Sequence, residues 1–321
     1  MLFRSSAQRP AVIVDCDPGH DDVFALIVAQ HYAKLLGITV VHGNAPLSRT
    51  LPNALIACDV FGIPAPVFSG ADRPLVAPPR NAPHIHGESG LGGPELPPVR
   101  RSPEPTGAVE AIVELVRKHE GEGVWLVPVG PLTNIALALR AAPDIAKRIA
   151  GISLMGGGTL FGNRAPHAEF NIWADPEAAS VVFGYGGPLR MVGLNATHQV
   201  VITRDYVEKM QAIGTPQGTF AAELLDFFST TYGEMLGTYG GPLHDPCALF
   251  AVTHEPLLGL EQKRVEIELH GEFTRGMTAV DERPFVPSKR QEPNALVSYR
   301  PDAPKIFDLI YDAVRAAPFV R

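Results

Sequence analysis

The densest chemistry in this chain lies in one eight-residue stretch, Asp15-Cys16-Asp17-Pro18-Gly19-His20-Asp21-Asp22. Its four carboxylates crowd the point where a short β-branched run, Ala11–Cys16, gives way to a helical stretch, Asp21–Tyr32. Their repulsion needs an offset. A helix N-terminus supplies only about 0.3–1 kcal/mol per carboxylate, and a divalent cation supplies far more. An all-oxygen donor set suits a hard cation, calcium or magnesium, rather than zinc. A capped helix start with solvated aspartates is the plainer reading, and four carboxylates beside Pro-Gly weigh against it.

A second cluster is His244-Asp245-Pro246-Cys247-Ala248-Leu249. Asp245 can cap a helix that has Pro246 at its first position. The same dipeptide also sets a titratable imidazole beside a potential metal ligand. A third is Ala168-Glu169-Phe170-Asn171-Ile172, preceded by Asn163. These amides and this carboxylate could bind sugar hydroxyls or serve as turn residues, and composition leaves both open.

The elements that must position these groups follow a rhythm. Strand-length apolar runs at Ala11–Cys16, Leu36–Val41, Val124–Val129, Ile152–Met155 and Leu189–Leu194 alternate with longer amphipathic stretches. Those stretches are Asp21–Tyr32, Thr50–Phe61, Gly107–His119, Leu132–Leu139 and Pro176–Phe183. The order predicts an α/β fold, a mostly parallel, Rossmann-like open sheet flanked by helices. Beyond Asn195 the order changes. Helices are expected at Arg204–Ile213, Phe220–Met235, Pro246–Val252 and Lys305–Val314, with strands at Val265–Leu269 and Met277–Val280 as an antiparallel candidate pair. No linker or repeat interrupts the chain, so residues 1–321 read as a single domain with an elaborated C-terminal half. Two loops break the rhythm, 72–105 and 156–171. Loops this long are usually functional or disordered, and each follows a predicted strand, where open α/β sheets place ligands.

Composition bounds the partners. The net charge is −7 and no Lys/Arg block exceeds two residues, as at Arg100-Arg101, Lys147-Arg148 and Lys289-Arg290. Nucleic-acid binding normally leaves a basic footprint, so no such partner is expected. A polyphosphate would be weakly repelled by the average field, whereas a neutral small molecule would not. Cys16, Cys58 and Cys247 make no disulfide framework. The opening MLFRSSAQRP lacks a signal peptide's apolar stretch, and no run approaches the ~20 apolar residues of a membrane span. A cytoplasmic, reduced protein is expected.

In order along the chain, these segments resemble the inosine–uridine-preferring nucleoside hydrolase family. The resemblance runs through Asp15–Asp22, Gly43-Asn44, His86-Gly87-Glu88-Ser89-Gly90-Leu91 and Val129-Gly130-Pro131-Leu132-Thr133-Asn134. It continues through Met155-Gly156-Gly157-Gly158, Ala168–Ile172, His244–Leu249 and Arg275-Gly276-Met277-Thr278. It implies calcium-dependent hydrolysis of the N-glycosidic bond of purine or pyrimidine ribonucleosides, with homodimers or homotetramers common.

Residue by residue, the resemblance implies calcium bound by Asp17, Asp22, Asp245 and the Val129 carbonyl, with Asp17 also the base that activates the attacking water. It implies Asp21 on the ribose 2′-hydroxyl, Asn44 beside these groups, and Asn163, Glu169 and Asn171 on the ribose hydroxyls. Met155 and Phe170 match apolar walls, His86 a lid histidine near the base, and His244 the group that protonates a purine. Phe220–Met235 and Leu236–Leu243 should line the base pocket, with Tyr232 and Tyr239 the candidate contacts. Two rivals remain. A haloacid-dehalogenase-type phosphatase would use Asp15-x-Asp17, but wants Thr or Val where this chain has Gly19. A non-catalytic, calcium-stabilised nucleoside or sugar binder would release no ribose.

Overall fold

A computed structural model describes residues 9–284 and 291–318. The leader reading of the first residues falls largely outside these, as does the Lys289-Arg290 pair. In chain order the strands are β1 (Ala11–Cys16), β2 (Lys34–Val40), β3 (Val67–Ser69), β4 (Trp125–Pro128) and β5 (Gly151–Met155). There follow β6 (Leu189–Val192), β7 (Leu260–Lys263), β8 (Val265–Ile267), β9 (Thr278–Val280) and β10 (Ala295–Ser298).

Eight strands form one sheet in the order β3-β2-β1-β4-β5-β6-β10-β7. Every neighbouring pair is parallel except β10 with β7. β8 and β9 pair antiparallel apart from it. The parallel α/β expectation and the antiparallel pair both hold. β1 is buried along its whole length, and its side chains alternate between two cores. Val12, Val14 and Cys16 pack with Val23, Phe24 and Leu26 of the helix His20–Tyr32. Ala11 and Ile13 pack on the opposite face with Ile112, Leu126 and Ile135. The two-residue side-chain period of a strand requires this split, and covering both faces explains why β1 reads as a continuous apolar run.

Where expectation and structure differ, the elements are short. β3, β7 and β10 span three or four residues, and β7 (LEQK) is a polar edge strand with no apolar signature. The run expected as a strand to Leu194 ends at Val192, because Leu194 opens a four-residue helix, Leu194–Thr197. Both long loops contain a short helix, Pro83–His86 and Phe170–Ala174. From β1 the chain steps to β2 and β3 on one side and later to β4 on the other. That reversal opens a crevice at the carboxyl ends of β1 and β4, where open α/β sheets bind ligands.

Candidate active site

The aspartate cluster sits in this crevice, and its members divide the work. Asp15 is a structural lock. Its Oδ1 accepts from Thr39 Oγ1 at 2.6 Å and Asn134 Nδ2 at 2.8 Å, tying β1 to its neighbours. Asp15 Oδ2 is buried with no partner, and Asp17 too is held at one oxygen. Oδ2 accepts from the Asn44 amide at 2.6 Å, and Oδ1 is buried with no partner. The chain closes tightly around it: a Cβ at Gly130 would lie 2.4 Å from Oδ1, and one at Gly43 would lie 2.0 Å from Oδ2. Only glycine fits at either place.

Asp22 lies in the first turn of the helix His20–Tyr32 and accepts from the amides of Asp17 (3.0 Å) and Gly19 (2.9 Å) and from Asn44 Nδ2 (3.2 Å). Asp245 stands before the helix Pro246–Thr253, with Pro246 at its first position. The expected cap does not form: its side chain makes no capping hydrogen bond. It meets the Asp22 carboxyl instead, and Asp21 accepts from the His244 amide. The helix start therefore aims Asp245 into the crevice rather than closing on itself.

Asp21, Asp22 and Asp245 offer oxygens all within 4.8 Å of one another, and all three are buried. Burial first, and mutual repulsion second, push Asp17 and Asp245 well above the usual carboxylate range and Asp21 up to about 8. Burial likewise raises Asp22. Carboxylates so destabilised, with one orphaned oxygen on Asp17, are matched by a cation, which inverts the local balance. A hard divalent ion fits this oxygen-only set.

The cavity above encloses about 270 Å³. Asp21, Asn44, Val129 and Asp245 line its acidic side, and Met155 and Phe170 supply apolar wall. The Asn163-to-Asn171 segment borders it as well. Asn163 Oδ1 accepts from the Phe170 amide at 2.9 Å, which leaves its NH2 free. Glu169 caps the helix Phe170–Ala174, accepting from the amides of Gly157, Asn171 and Ile172. Burial lifts its pKa to about 7. Asn171 Nδ2 donates to the carbonyls of Val129 (2.8 Å) and Met155 (3.1 Å). The turn-residue and hydroxyl-binding readings of this segment thus coexist: the backbone-facing atoms hold the loop, and other polar atoms face the cavity.

His244 lines the cavity as well. Its Nδ1 lies 2.7 Å from Thr197 Oγ1 and its Nε2 3.4 Å from the Tyr232 hydroxyl. Burial pushes the imidazole well below its usual range, so the ring is neutral. Phe228, Tyr232 and Met235 reach the cavity from the helix Pro216–Leu236. Tyr239 does not: its hydroxyl bonds Asp226 at 2.8 Å, and Arg204 stacks on its ring. Position 239 follows the helix end and turns outward, so Tyr239 is no base contact. His86 lines the cavity too, with Nδ1 3.0 Å from His20 Nδ1, while His20 Nε2 donates to the Gly92 carbonyl. Phe228 falls in the segment expected to line the base pocket, whereas sequence reasoning missed Thr197 and His198, whose only signal is a polar pair just beyond a buried strand.

Carboxylates, amides and an imidazole around one cavity are the groups a hydrolytic site for a polyhydroxylated small molecule needs. Known proteins agree. The family model for the inosine-uridine preferring nucleoside hydrolases matches residues 12–308. The inosine-uridine preferring nucleoside hydrolase of Leishmania major is 41% identical over 94% of this chain and 96% of its own. The pyrimidine-specific ribonucleoside hydrolase RihB of Escherichia coli is 41% identical over 86% and 88%. In structure, a purine-preferring ribonucleoside hydrolase from Gardnerella vaginalis matches with a TM-score of 0.89 and 31% identity, over 96% of this chain and 98% of that one. The chain belongs to the inosine-uridine preferring nucleoside hydrolase family and is a ribonucleoside hydrolase, a glycosidase acting on N-glycosyl compounds.

Proposed function

We propose that the protein cleaves purine and pyrimidine ribonucleosides to ribose and free base with calcium held by Asp17, Asp22, Asp245 and the Val129 carbonyl. Calcium there would orient the attacking water and raise its acidity. The observation that carries the reading is Asp17, anchored through Oδ2 and bare at Oδ1. That bare oxygen is the proton acceptor for water. Asp21 grips the 2′-hydroxyl, with Asn44 steadying Asp17 and Asp22. Asn163, Glu169 and Asn171 position the remaining hydroxyls, and Met155 and Phe170 exclude other water. Positive charge develops on the sugar at the transition state, and the carboxylate floor stabilises it. His86 closes over the base. His244 donates through Nε2–H to the departing base, an assignment supported by Thr197 at its Nδ1.

Removing one hard ligand tests the metal. Asp22→Ala should lose most bound calcium by elemental analysis together with ribonucleosidase activity; full calcium occupancy in that variant refutes the assignment. Steady-state kinetics on inosine, uridine, cytidine and adenosine then define the base preference. A homodimer or homotetramer, the assembly the resemblance implies, is tested by light scattering. No helix among the described residues is long and apolar enough to cross a membrane. The three buried free cysteines support a reducing, cytoplasmic setting, which fractionation would check.

A further inference from the structure

His20 belongs to the aspartate segment in sequence but not to the floor in space. It is fully buried in the first turn of the helix His20–Tyr32. Its ring lies among those of Phe227, Phe228 and His86, at centroid distances of 5.2, 5.5 and 5.2 Å. No step of the proposed hydrolysis uses it.

Both of its ring nitrogens are engaged. Nε2 lies 2.8 Å from the Gly92 carbonyl, and Nδ1 lies 3.0 Å from His86 Nδ1. A carbonyl oxygen only accepts, so His20 Nε2 carries a proton. Burial among aromatic rings, with no carboxylate paired to it among the described residues, keeps the imidazole neutral. Its Nδ1 is therefore a lone pair. Two lone pairs facing each other at 3.0 Å would repel, so the proton between the rings belongs to His86 Nδ1. The His20 amide approaches the same nitrogen at 3.4 Å, but an amide proton there would leave the two ring lone pairs opposed at the shorter distance.

A neutral imidazole carries one N–H, so His86 Nε2 is an acceptor. It has no hydrogen-bond partner among the described residues and is not sealed from the cavity that His86 lines. The ring is placed as closely as it is oriented. A Cβ at Gly19 would lie 2.5 Å from His86 Nδ1 and 2.6 Å from its Cε1, so that edge rests against the backbone turn. The relay runs from the Gly92 carbonyl through His20 to His86 and ends in a lone pair, whereas His244 is assigned a donor at Nε2.

We propose that His20 is a positioning residue that fixes the tautomer of His86, so that His86 meets the nucleobase as a hydrogen-bond acceptor and favours bases that carry an N–H. The inference rests on the ribonucleoside reading above, in which His86 closes over the base. Hypoxanthine carries N1–H and uracil N3–H. The bases of purine riboside and of 2-pyrimidinone riboside have lone pairs at those nitrogens, which an acceptor on the protein disfavours.

Three proteins test the relay: the unsubstituted enzyme, His20→Phe and His20→Asn. Phenylalanine keeps a ring among Phe227, Phe228 and His86 and removes both nitrogens. Asparagine gives up the ring but sets an amide oxygen where Nδ1 stood, able to accept from His86. Nitrogen NMR of isotope-labelled histidine rings reads the tautomer directly, with the His86 signals identified by their loss in His86→Gln. The proton should sit on His86 Nδ1 in the unsubstituted enzyme and in His20→Asn, and move toward Nε2 in His20→Phe. The kcat/KM ratio of inosine to purine riboside, or of uridine to 2-pyrimidinone riboside if pyrimidines are cleaved better, should fall in His20→Phe by up to about tenfold, the worth of one hydrogen bond. His20→Asn should recover most of that ratio. A merely structural His20 would instead rank the variants by thermal midpoint, with the ringless asparagine the less stable and the less active. A proton on His86 Nε2 in the unsubstituted enzyme, an unmoved tautomer in His20→Phe, an unchanged substrate ratio, or no recovery in His20→Asn each overturns the proposal. If neither inosine nor uridine is cleaved, the ribonucleoside reading fails and the selection of bases falls with it. The tautomer in the two variants then still decides whether His20 sets His86.

Discussion

His244 and Asp245 are adjacent in sequence and line one cavity, yet their side chains belong to two groups built on different principles. The floor of Asp17, Asp21, Asp22 and Asp245 is buried charge left incompletely satisfied. The leaving-group wall of Thr197, Tyr232 and His244 is neutral, aromatic and internally hydrogen-bonded. A buried charge without a partner is costly, so on the proposed reading the floor takes a cation and the sugar, which every ribonucleoside shares. The wall needs nothing added to be stable, and on the proposed reading it faces the base, the part of the substrate that varies. Damage to the floor should therefore affect all substrates alike, and damage to the wall should sort them by base.

The sharpest way to break this contrast is Asp17→Asn. An amide at position 17 still accepts from the Asn44 amide, so the fold should survive, but water loses its proton acceptor. We expect kcat to fall by about 10²–10⁴-fold on inosine and uridine equally, with a ribose analogue losing less affinity than kcat loses. Retention of more than about a tenth of wild-type kcat, well short of the usual general-base loss, would give Asp17 another role.

The wall is tested by His244→Ala. A purine offers N7 to a single donor, whereas a pyrimidine has no N7 and its O2 lies close to the sugar. The kcat for inosine should fall about 10²-fold and that for uridine far less. Parallel losses on the two substrates would remove the donor role from His244 and leave the hydrolase assignment standing.

The floor was legible in the sequence because it is local: four aspartates in eight residues cannot avoid one another, and β1 announces itself as a strand. Asp245 was legible as a helix start, but not as a side chain turned away from capping, because that choice is made by Asp22 across more than two hundred residues of chain. The wall was only half legible. Thr197 reaches His244 from a four-residue helix of which only the first residue, Leu194, reads as the end of a strand, and Tyr232 and Tyr239 differ only in which side of a helix end they fall. β7 and β10 escaped because four-residue strands carry too little periodicity to register. Contacts made by tertiary packing alone leave no pattern in the chain.

The smallest expected effect is also the most discriminating. The Thr197 hydroxyl lies 2.7 Å from His244 Nδ1, and no other acceptor for it is seen among the described residues. As donor, it leaves Nδ1 unprotonated and puts the ring's single proton on Nε2, facing Tyr232 and the cavity. Valine at position 197 keeps the shape and removes the hydroxyl. The imidazole is then free to carry its proton on Nδ1, where it presents a lone pair rather than a donor to the departing base. A hydrogen bond of this kind is worth about 0.5–1.5 kcal/mol, so Thr197→Val should lower kcat for inosine by up to about tenfold. KM should change little, and uridine should be spared as in His244→Ala. Combining Thr197→Val with His244→Ala should add nothing to His244→Ala alone, since the hydroxyl acts only through the ring. A purely structural Thr197 would instead lower the thermal midpoint and depress both substrates together, and that outcome would leave the wall without its orienting residue.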